Sequence, residues 1–244
     1  MDRLLFVSDL HLAPGREVLT ARFEALLARE AGRCRRLYIL GDLFDAWIGD
    51  DDPSPFARRI RDALRRFSEK SGLYLQHGNR DFLIGEGFAA AAGAHLLDET
   101  HLLPWSGLRC LLMHGDQLCT DDVDYQQMRP LLRSPEFRRQ ALALPIPKRR
   151  ALADEYRRRS GEALSLKPEE ITDVNTDAVS RAMEAHRADL LIHGHTHRPA
   201  LHRFRLSDGR TVRRAVLPDW RETSPRLGWV LEETELYWLE LPAA

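Results

Sequence analysis

Five short clusters carry side chains suited to holding a hard cation: Asp9-Leu10-His11, Gly41-Asp42-Leu43-Phe44-Asp45, Gly78-Asn79-Arg80-Asp81, His114-Gly115-Asp116 and Gly194-His195-Thr196-His197. Taken singly, each is ordinary. An Asp-X-His is usually a cap or loop pair, a Gly-Asp is usually a turn, and one histidine after a strand is usually a satisfied edge residue. Their joint occurrence, each directly after an apolar run, is not explained that way. In an extended segment the i and i+2 side chains point the same way, so Asp9 and His11 are expected to reach one ion, and His195 and His197 likewise. Asp42 is expected to place its two oxygens on two ions, with Gly41 letting the backbone come close. Asn79 offers a neutral carbonyl oxygen, and His114 a nitrogen with Gly115 leaving space beside it. The sum is four imidazoles, two carboxylates and one amide. Nitrogen and oxygen ligands without thiolate suit Mn²⁺, Fe²⁺ or Zn²⁺ better than Ca²⁺ or copper(I). Such a set exceeds what one tetrahedral ion uses. Two ions about 3.5–4 Å apart would use it, with one shared ligand, and would generate a bridging hydroxide and clamp a phosphoryl oxygen.

The elements around these clusters alternate. Arg3–Ser8, Leu37–Leu40, Leu73–Gln76 and Leu108–Met113 read as buried strands. Arg16–Glu30, Phe56–Ser71 and Phe82–Ala92 between them carry apolar residues at helical spacing. The alternation predicts an α/β fold, a parallel or mixed sheet with helices on its faces, and ligands gathered at the carboxyl ends of the strands. From Asp121 to about Lys167 no strand-like run appears. Residues 129–159 hold 10 Lys plus Arg against 3 Asp plus Glu, a net +7. The stretch is expected to be a helical insertion. A solvated helix pair, with arginine stems over apolar surface, is the stronger reading of its charges. A basic, greasy cap for an anionic lipid-like substrate is the sharper one. After Asn175 the core pattern resumes, with a helix at Asp177–His186 and strands at Asp189–His193, Leu201–Leu206, Thr211–Leu217, Leu227–Leu231 and Leu236–Leu241. Ser207-Asp208-Gly209-Arg210 reads as a hairpin turn.

Composition excludes other classes. Lys plus Arg total 36 and Asp plus Glu 37, a net charge of -1, which argues against a nucleic-acid partner. The three cysteines, 34, 110 and 119, are odd in number and widely spaced, so reduced thiols are expected rather than a disulfide framework. The N-terminal segment reaches Asp2 and Asp9 too soon for a signal peptide, and no apolar run approaches the ~18 residues of a membrane span.

The five blocks resemble the calcineurin-like metallophosphoesterase superfamily. More narrowly, the chain is similar to the UDP-2,3-diacylglucosamine hydrolases of Gram-negative lipid A synthesis, from Phe6-Val7-Ser8-Asp9-Leu10-His11 through Met113-His114-Gly115-Asp116-Gln117-Leu118-Cys119-Thr120-Asp121-Asp122 to Gly194-His195-Thr196-His197-Arg198-Pro199-Ala200. The third block separates the two. Most of the superfamily has His after its Asn, whereas here, as in the narrow family, the residue is Arg80. Arginine stays protonated, so Arg80 must clamp phosphate charge, and another group or water must protonate the leaving group.

The resemblance implies a four-layer α/β/β/α sandwich, residues 1–120 and 171–244, with an inserted helical lipid-binding cap at 121–170. It implies one metal on Asp9, His11, Asp42 and His197 and another on Asp42, Asn79, His114 and His195, with Mn²⁺ as the ion. Catalytic roles fall to Asp9, His11, Asp42, Asn79, Arg80 and His114. Substrate contacts fall to Asn79, Arg80, Asp122, Tyr125, Arg157, Ser160, Leu164, Lys167 and His195. Leu164 stands where the family tends to carry Asn or Thr, so a polar contact is lost or replaced by an apolar one. The implied reaction is hydrolysis of UDP-2,3-diacylglucosamine to 2,3-diacylglucosamine 1-phosphate (lipid X) and UMP, by attack on the α-phosphorus. The implied setting is a monomer held peripherally on the cytoplasmic side of the inner membrane. Another dimetal phosphoesterase, acting on nucleotides or phosphoproteins, would share the metal site but prefer His to Arg80. A non-catalytic scaffold would be expected to lose ligands, and all seven are present. His77 and His193 are expected to orient neighbours of the site, the Asp50–Asp52 run to be a solvated loop, and Trp47 and Trp220 to be core or groove walls.

Overall fold

The chain was analysed as a computed structural model, which describes residues 2–165 and 169–240, with the side chains of 159–165, 169 and 170 excepted. Lys167 therefore lies outside the described residues, as do the side chains of Ser160 and Leu164. One sheet runs β11 (Glu235–Glu240), β10 (Arg226–Glu232), β1 (Arg3–Val7), β2 (Arg36–Leu40), β3 (Gly72–Gln76), β4 (His95–Leu96). The other runs β5 (Thr100–Trp105), β6 (Leu108–Met113), β7 (Leu190–His193), β9 (Thr211–Val216), β8 (Ala200–Arg205). Strands β1 to β4 are parallel, and β10 returns antiparallel beside β1.

Strand alternation builds the layers. On β1, Leu4 and Phe6 meet Leu112 and Ile192 of the second sheet, while Leu5 and Val7 turn to the helix side. That side is covered by α1 (Glu17–Glu30), α2 (Pro55–Ser68) and α3 (Glu86–Ala92), through Phe23, Ile60, Leu64 and Phe88. On β6, Cys110 and Leu112 face inward, while Leu111 and Met113 pack against α7 (Thr176–Ala185) through Val179 and Met183. Two sheets back to back with helices outside follow from one rule, that neighbouring residues of a strand serve opposite faces. All three cysteines are free and buried.

Two elements escape the sequence pattern. β4 is two residues long. β5 reads Thr-His-Leu-Leu-Pro-Trp, and its Pro104 argues against a central strand, but β5 lies at a sheet edge where a missing N–H is tolerated. The third helix starts at Glu86 rather than Phe82, because Asp50 accepts hydrogen bonds from the Gly85 and Phe88 N–H groups and fixes the helix start there. Asp51 and Asp52 pair with Arg149 and Arg150, so the acidic run is structural rather than merely solvated. Trp47 stacks on Phe44 at 4.4 Å in the core, and Trp220 packs on Phe23.

Between β6 and α7 lie α4 (Val123–Leu132), α5 (Pro135–Ala143) and α6 (Ile146–Ser165). Arg139, Arg150 and Arg158 face solvent, but Arg129, Arg133, Arg149 and Arg157 do not form a solvated face. Arg129 and Arg133 both join Glu99 and the fully buried Asp116. Arg149 reaches the Ile48 carbonyl as well as Asp51, and Arg157 pairs with Asp45. Sequence counting missed this because it sees the charge of a segment and not the carboxylates that tertiary structure brings to it. α4 is consequently turned inside out. Its arginines point inward, while Val123, Met128 and Leu131 are 58, 43 and 61% exposed. The inter-sheet core depends on Phe6, fully buried and stacked 5.1 Å from Tyr38. Phe6→Ala is expected to lower unfolding free energy by about 3–5 kcal/mol in a denaturant titration.

Candidate metal centre

Every expected ligand sits on a loop leaving the carboxyl end of a strand: Asp9 and His11 after β1, Asp42 after β2, Asn79 after β3, His114 after β6, and His195 and His197 after β7. The structure brings all seven together. His197 Nε2 stands 3.3 Å from Asp9 Oδ1 and 3.4 Å from His11 Nε2. His114 Nε2 and His195 Nδ1 each stand 3.0 Å from the Asn79 side-chain oxygen. Asp42 Oδ2 lies between the two groups, 3.9 Å from His11 and 3.8 Å from His114.

The local reason differs from the one the sequence suggested. Asp9, His11, Asp42, His195 and His197 all have positive φ, between 48° and 69°. Only three other non-glycine residues among the described ones do. Their backbone is left-handed rather than extended, a conformation that side chains other than glycine adopt at a cost of order 1 kcal/mol each. Convergence of Asp9 with His11 therefore comes from these turns and not from strand alternation, whereas His195 and His197 part, His197 to the Asp9–His11 side and His195 to the Asn79–His114 side. Glycines allow the loops to touch. A Cβ on Gly41 would come within 2.5 Å of His114 Nδ1, and one on Gly194 within 2.2 Å of Asp9 Oδ2.

Each carboxylate uses one oxygen on the protein and leaves the other for the site. Asp9 Oδ2 accepts from Ser8 and from the His195 N–H, leaving Oδ1 toward His197. Asp42 Oδ1 accepts the Arg80 N–H at 2.8 Å. Asp42 Oδ2 is the oxygen turned toward His11 and His114. Asp81 fixes the loop that carries Asp42. Its buried carboxylate accepts from the N–H groups of Asp42, Leu43, Phe44 and Gly78.

The electrostatics call for a cation. Burial would raise the Asp9 carboxyl, but the His197 hydrogen bond and the charges of His114, His197 and His11 hold it well below the usual carboxylate range. Burial, with Asp81 and Asp9 nearby, pushes Asp42 up to about 7. Burial lowers His11 and His195 to about 4, so both imidazoles are neutral and available as ligands at neutral pH. Two carboxylates this close cannot both ionise without a positive charge between them. His11 Nδ1 is buried with no hydrogen-bond partner. The donor set therefore fits divalent ions.

Other expected site residues fall nearby. Among the described residues the Arg80 guanidinium has no carboxylate within 4 Å, whereas Arg157 is held by Asp45 and Asp154. Asp122 caps α4 by accepting the Tyr125 N–H. Tyr125 donates its hydroxyl to Asp116 at 2.6 Å and lays its ring along His195, 6.2 Å between centroids. His77 hydrogen-bonds the Ile84 carbonyl, and His193 the Gly194 carbonyl beside His195. Asp81 and Asp116 were missed as positioning residues, although both stand inside the clusters that drew attention.

The profile of calcineurin-like phosphoesterases matches residues 2–199. A UDP-2,3-diacylglucosamine hydrolase of Chromohalobacter salexigens is 49% identical over 92% of this chain and 90% of its own length. Those of Pseudomonas entomophila and Escherichia coli are each 46% identical, over 95% of this chain and 95% and 97% of their own lengths. This chain belongs to the UDP-2,3-diacylglucosamine hydrolases, within the calcineurin-like phosphoesterase family. The family implies divalent metal ions, which the acid–imidazole cluster accommodates.

Two outcomes follow. Metal uptake by the chelator-stripped hydrolase should release protons and weaken as pH falls below about 7, because Asp42 then holds a proton that the ion must displace. Calorimetry in buffers of different ionisation enthalpy measures that release, and a pH-independent affinity would contradict it. Asp81→Asn should lower stability by about 1–3 kcal/mol, since an amide group would face four N–H donors, and should weaken metal affinity without removing any ligand. Thermal melting and metal titration read the two effects separately.

Proposed function

We propose that this chain hydrolyses the pyrophosphate bond of UDP-2,3-diacylglucosamine, releasing UMP and 2,3-diacylglucosamine 1-phosphate. The observation that carries the reading is end-to-end similarity to hydrolases of that name, with Arg80 in place of the histidine common elsewhere in the superfamily. Two Mn²⁺ ions, held by Asp9, His11, Asp42 and His197 and by Asp42, Asn79, His114 and His195, would supply the acidity that ionises an attacking water and charge against the phosphoryl oxygens.

The chain's own residues supply the rest. Arg80 is tied by its backbone to Asp42 and has no carboxylate partner among the described residues, so its planar fork is available to two phosphoryl oxygens. Asn79 stands beside it, and Tyr125 and Asp116 hold the His195 side of the site. Arginine does not give up its proton, so the leaving phosphate takes one from water or departs as the dianion. Residues 121–170 act as a cap on a core formed by 1–120 and 171–244. Cap contacts from Asp122, Tyr125, Arg157, Ser160, Leu164 and Lys167 fix the glycolipid, and binding of the remote acyl chains orients the diphosphate for in-line attack. Arg157 would exchange Asp45 for substrate in doing so.

No described helix is long and apolar enough to cross a membrane. The outward apolar face of α4 supports peripheral attachment of a monomer, on the cytoplasmic side of the inner membrane where such a glycolipid resides.

UMP release from UDP-2,3-diacylglucosamine, measured on metal-stripped protein with and without Mn²⁺, tests the reaction. Fast Mn²⁺-dependent release is expected. No release, with hydrolysis of a chromogenic diester intact, would hand the site to another phosphodiester. Arg80→Lys should reduce kcat about 10²-fold or more with metal content unchanged, because an ammonium cannot copy the fork. Wild-type turnover in that variant would remove the clamp.

A further inference from the structure

A second cationic site lies on the outer face of the β5–β8 sheet. The β8–β9 pairing sets Ala200 opposite Val216 and His202 opposite Arg214, and β7 places Leu191 and His193 opposite Arg214 and Val216. Farther along this face, Phe204 and Val212 pack against α7. At the metal-ligand end there is a cavity of about 350 Å³, lined by Asp173, Arg198, Ala200, His202, Arg214 and Val216. None of the seven expected metal ligands lines it.

Polar atoms there are left over. Arg214 Nη1 and His193 Nε2 are buried with no hydrogen-bond partner among the described residues. His193 itself is fully buried on the same face. Asp173 is already engaged: one oxygen holds Arg198 at 2.9 Å, and the other accepts the Val174 N–H at 2.7 Å. Arg198 also reaches the Thr172 hydroxyl. Among the described residues Arg214 and His202 have no carboxylate within 4 Å, and burial holds both below their usual ranges, His202 further lowered by Arg214. An arginine head with a buried, unmatched N–H is costly unless an acceptor arrives.

We propose that this cavity binds a phosphate group, with the Arg214 guanidinium as the principal donor and His202 and Arg198 at its sides. A phosphate oxygen is a strong acceptor that matches a guanidinium fork and carries the charge the pocket lacks. The same chemistry is offered by free phosphate, by a nucleoside monophosphate or by a lipid headgroup.

Equilibrium dialysis of radiolabelled inorganic phosphate against the Mn²⁺-loaded protein counts the sites. Wild type should bind one phosphate more than Arg214→Gln, or bind it about tenfold more tightly, the loss expected for one charge-assisted hydrogen bond. Hydrolysis of a small chromogenic diester should be unchanged in that variant. His202→Gln should weaken the same site, and it serves if Arg214→Gln does not fold. Identical isotherms for wild type and both variants would overturn the proposal. Flotation with phosphatidic acid vesicles distinguishes the source. Binding reduced by Arg214→Gln assigns the site to a lipid headgroup, and equal flotation assigns it to a soluble phosphate.

Discussion

The burial of Asp9 and Asp42 beside one another is the constraint on which the rest depends. Both are almost inaccessible to water, and both stand within reach of His114. Buried like charges are tolerated only when neighbours compensate them, by protonation or by a cation. The protein does half of this with its own groups. Ser8 and the His195 N–H take one oxygen of Asp9, and the Arg80 N–H takes one of Asp42. The remaining oxygens, ringed by imidazoles, define where positive charge must sit.

That arrangement costs backbone energy. Five of the seven converging residues are held in left-handed conformations, and a Cβ at Gly41 or Gly194 would collide with His114 or Asp9. Strained residues persist only where their surroundings determine them. Here the surroundings are two parallel strand sets ending at one place, plus the Asp81 carboxylate gathering four N–H groups of the Asp42 and Gly78 loops. Rigidity of this kind suits phosphoryl chemistry, in which positioning and charge do most of the work.

The same logic reaches the helices between β6 and α7. Asp116, two residues beyond His114, is buried, and it is neutralised by Arg129 of α4 and by Arg133 at the end of that helix. Burying arginines inward leaves the apolar side of α4 outward. Charge compensation at the core thus sets the character of the outer surface.

Most of the strand and helix order and the seven converging side chains were legible in the sequence, and the four layers were implied by the family resemblance. Periodicity reports which side of an element is buried, and the ligand types stand directly after apolar runs. Arg80 was legible as a departure from a motif. Less could be read from the acids. The five clusters contain Asp9, Asp42, Asp45, Asp81 and Asp116, and nothing in their spacing says which point at an ion, which gather backbone N–H groups and which hold arginines. Those roles are set by tertiary contacts, from Asp116 to Arg129 and from Asp45 to Arg157, that no spacing within a cluster reveals. The short β4, the proline-bearing edge strand β5 and the unmatched Arg214 have the same origin. The sequence determined the residues able to do the chemistry and the elements that carry them. Tertiary structure decided how each charge is compensated, because compensation depends on through-space neighbours that no local pattern encodes.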